Sequence, residues 1–133
     1  LEFRRVLFRS LEHERDAAGR ADAVDRRRLD HRRQRIMATG TGTATINFGS
    51  HPGSNEASVA VTGLTSISAT SKAEAWVMAD DTSANHTASD HKYFPVFASL
   101  TCGTPTAGTG FTIYARSIEK LSGAWTVRYV WAD

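Results

Sequence analysis

One cysteine, Cys102, stands among 133 residues. A lone thiol closes no intrachain disulfide, which excludes a small secreted scaffold stapled by disulfides. Its expected role is that of a buried thiol. Apolar runs are short: none approaches the roughly 18 residues of a membrane-spanning helix, so no membrane span is expected. Neither Leu1 nor Met37 is followed by the basic, then apolar, then small-residue order of a signal peptide, so none is expected. Apolar residues at helical spacing are missing beyond Met37. The local signatures of catalysis are missing too. "GTPTAGTGF" is glycine-rich but has no phosphate-binding lysine and no helix after it, so it reads as a turn between strands. No nucleophile elbow marks a serine. The expectation is a protein that is not an enzyme and carries no cofactor.

Basic charge is abundant but unevenly placed. Residues 1–36 hold eleven arginines against seven acidic groups, a net charge of +4. Residues 37–133 hold five basic groups (Lys72, Lys92, Arg116, Lys120 and Arg128) against seven acidic ones, a net charge of −2. The sequence pI near 9.0 therefore belongs to the first segment. A mildly acidic remainder offers no electrostatic ground for nucleic-acid binding. The opening decapeptide, "LEFRRVLFRS", has no helix or strand period and resembles a translated sequencing adapter. Residues 11–36 use little beyond Arg, Asp, Ala, Leu, His, Glu and Gly, like GC-rich DNA read through in an arbitrary frame. A basic, phosphate-binding arm is the competing reading of the segment, but it leaves the first ten residues unexplained. Composition turns over at Met37, in "RIMATGTGTATINFG". The expectation is that residues 1–36 are non-native and either disordered or irregular, that Met37 is the start, and that 37–133 is one small domain.

Alternation with period two pervades 37–133. "TATINFG" places Ala44, Ile46 and Phe48 on one face; "EASVAVTG" does the same with Ala57, Val59 and Val61. "SISAT" extends a strand through Ile67 and Ala69. "KAEAWVMAD" sets Ala73, Ala75, Val77 and Ala79 against Glu74, Trp76 and Met78. "YFPVFASLT" is apolar on both faces, and its Pro95 suits an edge or a bulge. "TGFTIYAR" turns Phe111, Ile113 and Ala115 inward, and "GAWTVRYVWAD" does so with Trp125, Val127, Tyr129 and Trp131. Turn chemistry separates these runs, in "HPGSN", "VTGL", "ADDTSAN", "CGTPTAGTG" and "KLSG". Six or seven short strands with no helix between them predict an all-β fold, a single small antiparallel β-sandwich.

One cluster invites a chemical reading. "ADDTSANHTASDH" holds Asp80, Asp81, His86, Asp90 and His91, and carboxylates with imidazoles can bind a divalent ion. The spacing matches neither a calcium loop nor a zinc helix. The favoured reading is a polar loop whose Asp and Asn side chains bond nearby backbone amides, and no metal site is assigned. Most aromatic residues are expected in the core. Alternation puts Trp76 opposite Ala75 and Val77, and Tyr114 opposite Phe111 and Ile113, so both are expected outside. Exposed aromatics on a sheet serve a protein interface or stack on sugar rings. The expected contact surface comprises Trp76, Tyr114, Asp81, His86, Asp90 and His91.

Three stretches, "TATINFGSHPGSNEASVAVTG", "AEAWVMADDTSANHTASDH" and "GTGFTIYARSIEKLSGAWTVRYVWAD", resemble the small structural proteins of tailed bacteriophages. The likeness spans nearly all of 37–133 and none of 1–36. The closing "GF" strand, glycine turn and "WTVRYVWA" strand are also similar, in architecture, to the H-type lectin sandwich of some phage fibre tips. The resemblance implies a virion protein, tail- or fibre-associated, made in the host cytoplasm and working by assembly and contact. It brings no catalytic residues. A homo-oligomer, with a trimer favoured, and other virion proteins are the expected partners. The alternative is a lectin-like module that binds a cell-surface glycan through Trp76, Tyr114 and the 80–91 loop.

Overall fold

The computed structural model describes residues 37–133, and everything expected of 1–36 lies outside the described residues. The elements run β1 (Thr39–Asn47), β2 (Ser54–Val61), β3 (Lys72–Trp76), α1 (Ala88–Phe97), β4 (Ala98–Cys102), β5 (Phe111–Leu121) and β6 (Ala124–Ala132). They form two three-stranded antiparallel sheets, ordered β1-β6-β3 and β2-β5-β4. The fold is the all-β sandwich that the alternation predicts.

Each sheet turns one face inward. Ile46, Trp125, Val127, Tyr129 and Trp131 come from the first sheet; Val61, Phe111, Ile113 and Ala115 come from the second. Together with Phe48, Ile67 and Phe94 they make one buried cluster. Full burial of an aliphatic or aromatic side chain contributes about 1.5–3 kcal/mol, so this cluster is the main source of stability. β1 owes its glycines to two of these rings. A Cβ on Gly40 would overlap the Trp131 indole, and one on Gly42 would overlap the Tyr129 ring. Both rings lean from β6 into the space that the glycines leave, where the Trp131 indole Nε1 is buried without a hydrogen-bond partner.

Backbone bonding fixes which strand edges are spent. The β1–β6 register pairs Thr39 with Ala132 and Asn47 with Ala124. Just beyond its two ends, Asp133 N–H donates to the Ala38 carbonyl and Phe48 N–H to the Gly123 carbonyl, each at 3.0 Å. Hydrogen-bonded pairs recur every second residue in an antiparallel ladder. The even-numbered residues of β1 therefore bond to the odd-numbered residues of β6. The even-numbered residues of β6 turn their amides the other way, toward β3.

Three expectations are corrected. "YFPVF" is not strand but the end of α1. Thr87 caps this helix: its Oγ1 accepts the Asp90 N–H at 3.4 Å, while an Asp90 carboxylate oxygen accepts the Thr87 N–H at 2.7 Å. That is a capping box, with Asp in the place usually held by Glu or Gln. Pro95 lies inside the helix near its end, and Ala98 N–H closes the last turn on the Phe94 carbonyl. Only His91 and Phe94 of the ten helical residues are buried, so α1 shows no apolar stripe for a periodicity to reveal. "SISAT" is a loop rather than a strand. Ile67 is buried there, but Ser68 and Ser71 bond each other and both donate to the Asp133 carboxylate. Hydroxyls that bond this way offer the backbone an alternative to a ladder. β3, finally, stops at Trp76 instead of running on through Ala79.

Candidate contact surfaces

The short β3 decides what the 80–91 segment does. β3 pairs Trp76 with Arg128 and ends, so the β6 amides of Thr126 and Ala124 face past it with no strand to meet. Side chains of the following segment take them instead. Thr126 N–H donates to His91 Nε2 at 3.1 Å, and Ala124 N–H to Asn85 Oδ1 at 3.0 Å. Thr126 Oγ1 donates to the Thr82 carbonyl at 2.9 Å, and Ser83 Oγ to the Ala124 carbonyl. The loop thus continues the sheet by side chain where β3 stops.

The candidate polar residues are placed accordingly. His91, expected at a contact surface, is 1% exposed. Its Nε2 accepts from Thr126, which puts the ring proton on Nδ1, and that N–H donates to the Thr87 carbonyl at 2.8 Å. Both ring nitrogens are spent on backbone, and the ring edge meets Trp125 at 5.2 Å. His86 stacks on Trp125, centroids 3.6 Å apart and planes 18° apart, and its Nε2–H donates to the Ser122 carbonyl at 2.7 Å. Its Nδ1 lies 3.8 Å from the Asp90 carboxylate. Asp81 accepts two bonds from Arg128, Nε at 2.9 Å and Nη2 at 2.8 Å. This bidentate clamp ties the loop to the outer face of β6 and holds the guanidinium charged. No group of three or more His, Cys, Asp or Glu side chains able to hold a metal ion occurs among the described residues.

Asp90 is exposed but engaged. The Thr87 amide and then the Thr87 hydroxyl stabilise its carboxylate and hold its pKa below the ordinary value, with His86 and His91 adding to the same effect. A lowered folded-state pKa contributes stability above the ordinary carboxylate range, and that contribution is lost as pH falls through the folded value. Thr87→Ala should therefore cost about 1 kcal/mol at neutral pH, the usual worth of a helix N-cap. The deficit relative to the parent should narrow in acid, because the bond from the Thr87 hydroxyl to the Asp90 carboxylate, which only the parent has, weakens as Asp90 protonates. Urea unfolding at pH 7 and pH 3 measures both quantities, and equal deficits at the two values would contradict the cap's role.

The two aromatic candidates do lie outside, but not together. Trp76 is 38% exposed on the outer face of β1-β6-β3, in a row with Arg128 and Thr43. Tyr114 is 51% exposed on the outer face of β2-β5-β4, in a row with Ser58 and Thr101. The sandwich core separates them. On the Tyr114 side the adjoining row is Glu56, Arg116 and Ser99. The Arg116–Glu56 pair, at 3.8 Å, is almost fully exposed, so it contributes little to stability. Next to it lies a groove of about 660 Å³ beside Val96, Phe97 and Ile118. These three side chains are exposed and together form an apolar ledge along the groove. Sequence reasoning missed the ledge because it placed this stretch in a strand. Cys102, half-buried at the end of β4, has its thiol pKa pushed up by burial and, less strongly, by Glu74.

Compared with protein families, curated proteins and solved structures, the chain finds no match in any of the three.

Proposed function

We propose that residues 37–133 act as a structural module of a bacteriophage virion, tail- or fibre-associated, that works by assembly and contact. One observation supports it above the others: the exposed aromatics occupy opposite outer faces of one small sandwich, Trp76 on one and Tyr114 on the other. A module with contact residues on both sides suits a component held between neighbours. The apolar ledge of Val96, Phe97 and Ile118 extends the Tyr114 side. Asp81, His86, Asp90 and His91, which first suggested a ligand, are in contrast engaged in internal bonds. The reading predicts a homo-oligomer, with the full chain eluting at a multiple of its protomer mass by light scattering on a sizing column. A protomer mass at every concentration would overturn it.

The glycan-binding alternative keeps one specific support. Tyr114, with Ser58, Thr101, Glu56 and Arg116 around it, lines a shallow depression of about 490 Å³. An aromatic face ringed by hydroxyls and charges is the chemistry that holds a sugar ring. Were this the function, a glycan array would give binding that Tyr114→Ala abolishes and Trp76→Ala, on the opposite face, leaves intact. The structural reading predicts no array signal.

A further inference from the structure

Four strands lie at sheet edges among the described residues: β1, β3, β2 and β4. Natural sheets blunt their edges with charge, bulges or shortness, because a free edge templates pairing with another chain. Three of these edges carry such devices. β3 is five residues long and bears Lys72 and Glu74; β4 is also five residues long; β2 bears Glu56 and a register shift between Ser54 and Glu56. β1 has none of them. Its nine residues, TGTGTATIN, carry no charge, no proline and no bulge in their pairing with β6.

The ladder with β6 also settles which groups β1 presents. Its even-numbered residues are spent on β6, so the amides and carbonyls of Thr39, Thr41, Thr43, Thr45 and Asn47 point away from it. The same five side chains lie on the exposed outer face. We infer that this edge pairs with β1 of a second copy, antiparallel about a two-fold axis through Thr43. The inference rests on the self-association proposed above and names its surface.

That register is self-complementary. Thr43 meets its own copy, and Thr41 meets Thr45 of the partner subunit, so the outer face carries cross-strand threonine pairs, a favourable kind. Gly42 and Ala44 alternate opposite each other on the inner face. No charge opposes a like charge, whereas the same operation on β3 would set Glu74 against itself. The result is one continuous six-stranded sheet, β3-β6-β1 joined to its copy. A two-fold is the symmetry that an antiparallel self-pair closes, so the chain should form a dimer or a multiple of dimers in place of the trimer first expected.

The test uses the full chain. Thr43→Pro removes one outward amide and none of those bonded to β6, a change that an edge strand tolerates. It should weaken dimerisation at least tenfold by light scattering across a dilution series, with an unchanged far-UV spectrum. Thr43→Lys, which keeps the amide and adds charge to the edge, should do the same and serves if the proline variant fails to fold. In a Cys102→Ala background, Thr43→Cys should crosslink to its copy on mild oxidation, because hydrogen-bonded antiparallel partners sit about 5.5 Å apart, within disulfide reach. Thr41→Cys alone should not.

An oligomer indifferent to the Thr43 variants would overturn the edge pairing and leave self-association standing through another face. A chain at protomer mass throughout would overturn both.

Discussion

Replacing His91 with alanine should cost about 2–4 kcal/mol of stability, read from urea unfolding at neutral pH. Two terms combine. The imidazole is almost fully buried, so its loss opens a cavity beside Trp125 and Phe94. It also orphans the Thr126 amide, whereas the Thr87 carbonyl loses the ring N–H but keeps the bond from the residue-91 amide. Orphaning a buried backbone group carries the desolvation penalty of that group, beyond the modest net worth of the bond. His91→Gln, whose amide both donates and accepts, should recover part of the loss. Were His91 instead a contact residue, His91→Ala would leave stability unchanged and weaken only association.

Trp125→Ala should cost more, about 3–5 kcal/mol. Its indole, only 6% exposed, is the floor on which the 77–97 segment rests. His86 stacks on it, His91 meets its edge and Phe94 tilts against it at 5.0 Å. Its Nε1–H donates to the Ser122 carbonyl at 3.3 Å, tying the β5–β6 turn to the same ring. Loss of the indole should therefore loosen the loop and α1 before the sheets. Amide exchange would show it, with protection falling at His91 and Phe94 and persisting at Ile113 and Val127. Uniform loss of protection would contradict a local role for the indole.

Most of the sandwich was legible in the sequence because half-buried strands write their burial with period two. Ile46, Val61, Ile113, Val127 and Trp131 are buried where alternation puts them, and Trp76 and Tyr114 lie outside. α1 was not legible by that route, since a helix with two buried residues has almost no stripe. Its signal was the capping box that Thr87 and Asp90 form, read at first as loop chemistry. The role of the 80–91 segment was half legible. Polar side chains bonding nearby amides was the right chemistry, but the amides that His91 and Asn85 serve are 35 and 39 residues away on β6. Local spacing holds no record of such partners.

The amino-acid sequence by itself determined the class of fold and the faces of its strands, because alternation and turn chemistry are local properties. It also determined that Cys102 closes no disulfide within the chain. Only the tertiary structure decided which strands lie at edges, and that Trp76 and Tyr114 fall on opposite sides. It alone turned two histidines from candidate ligands into supports for a sheet whose third strand is too short. These are matters of strand order and of reach between distant residues, which the folded chain sets by closing its core.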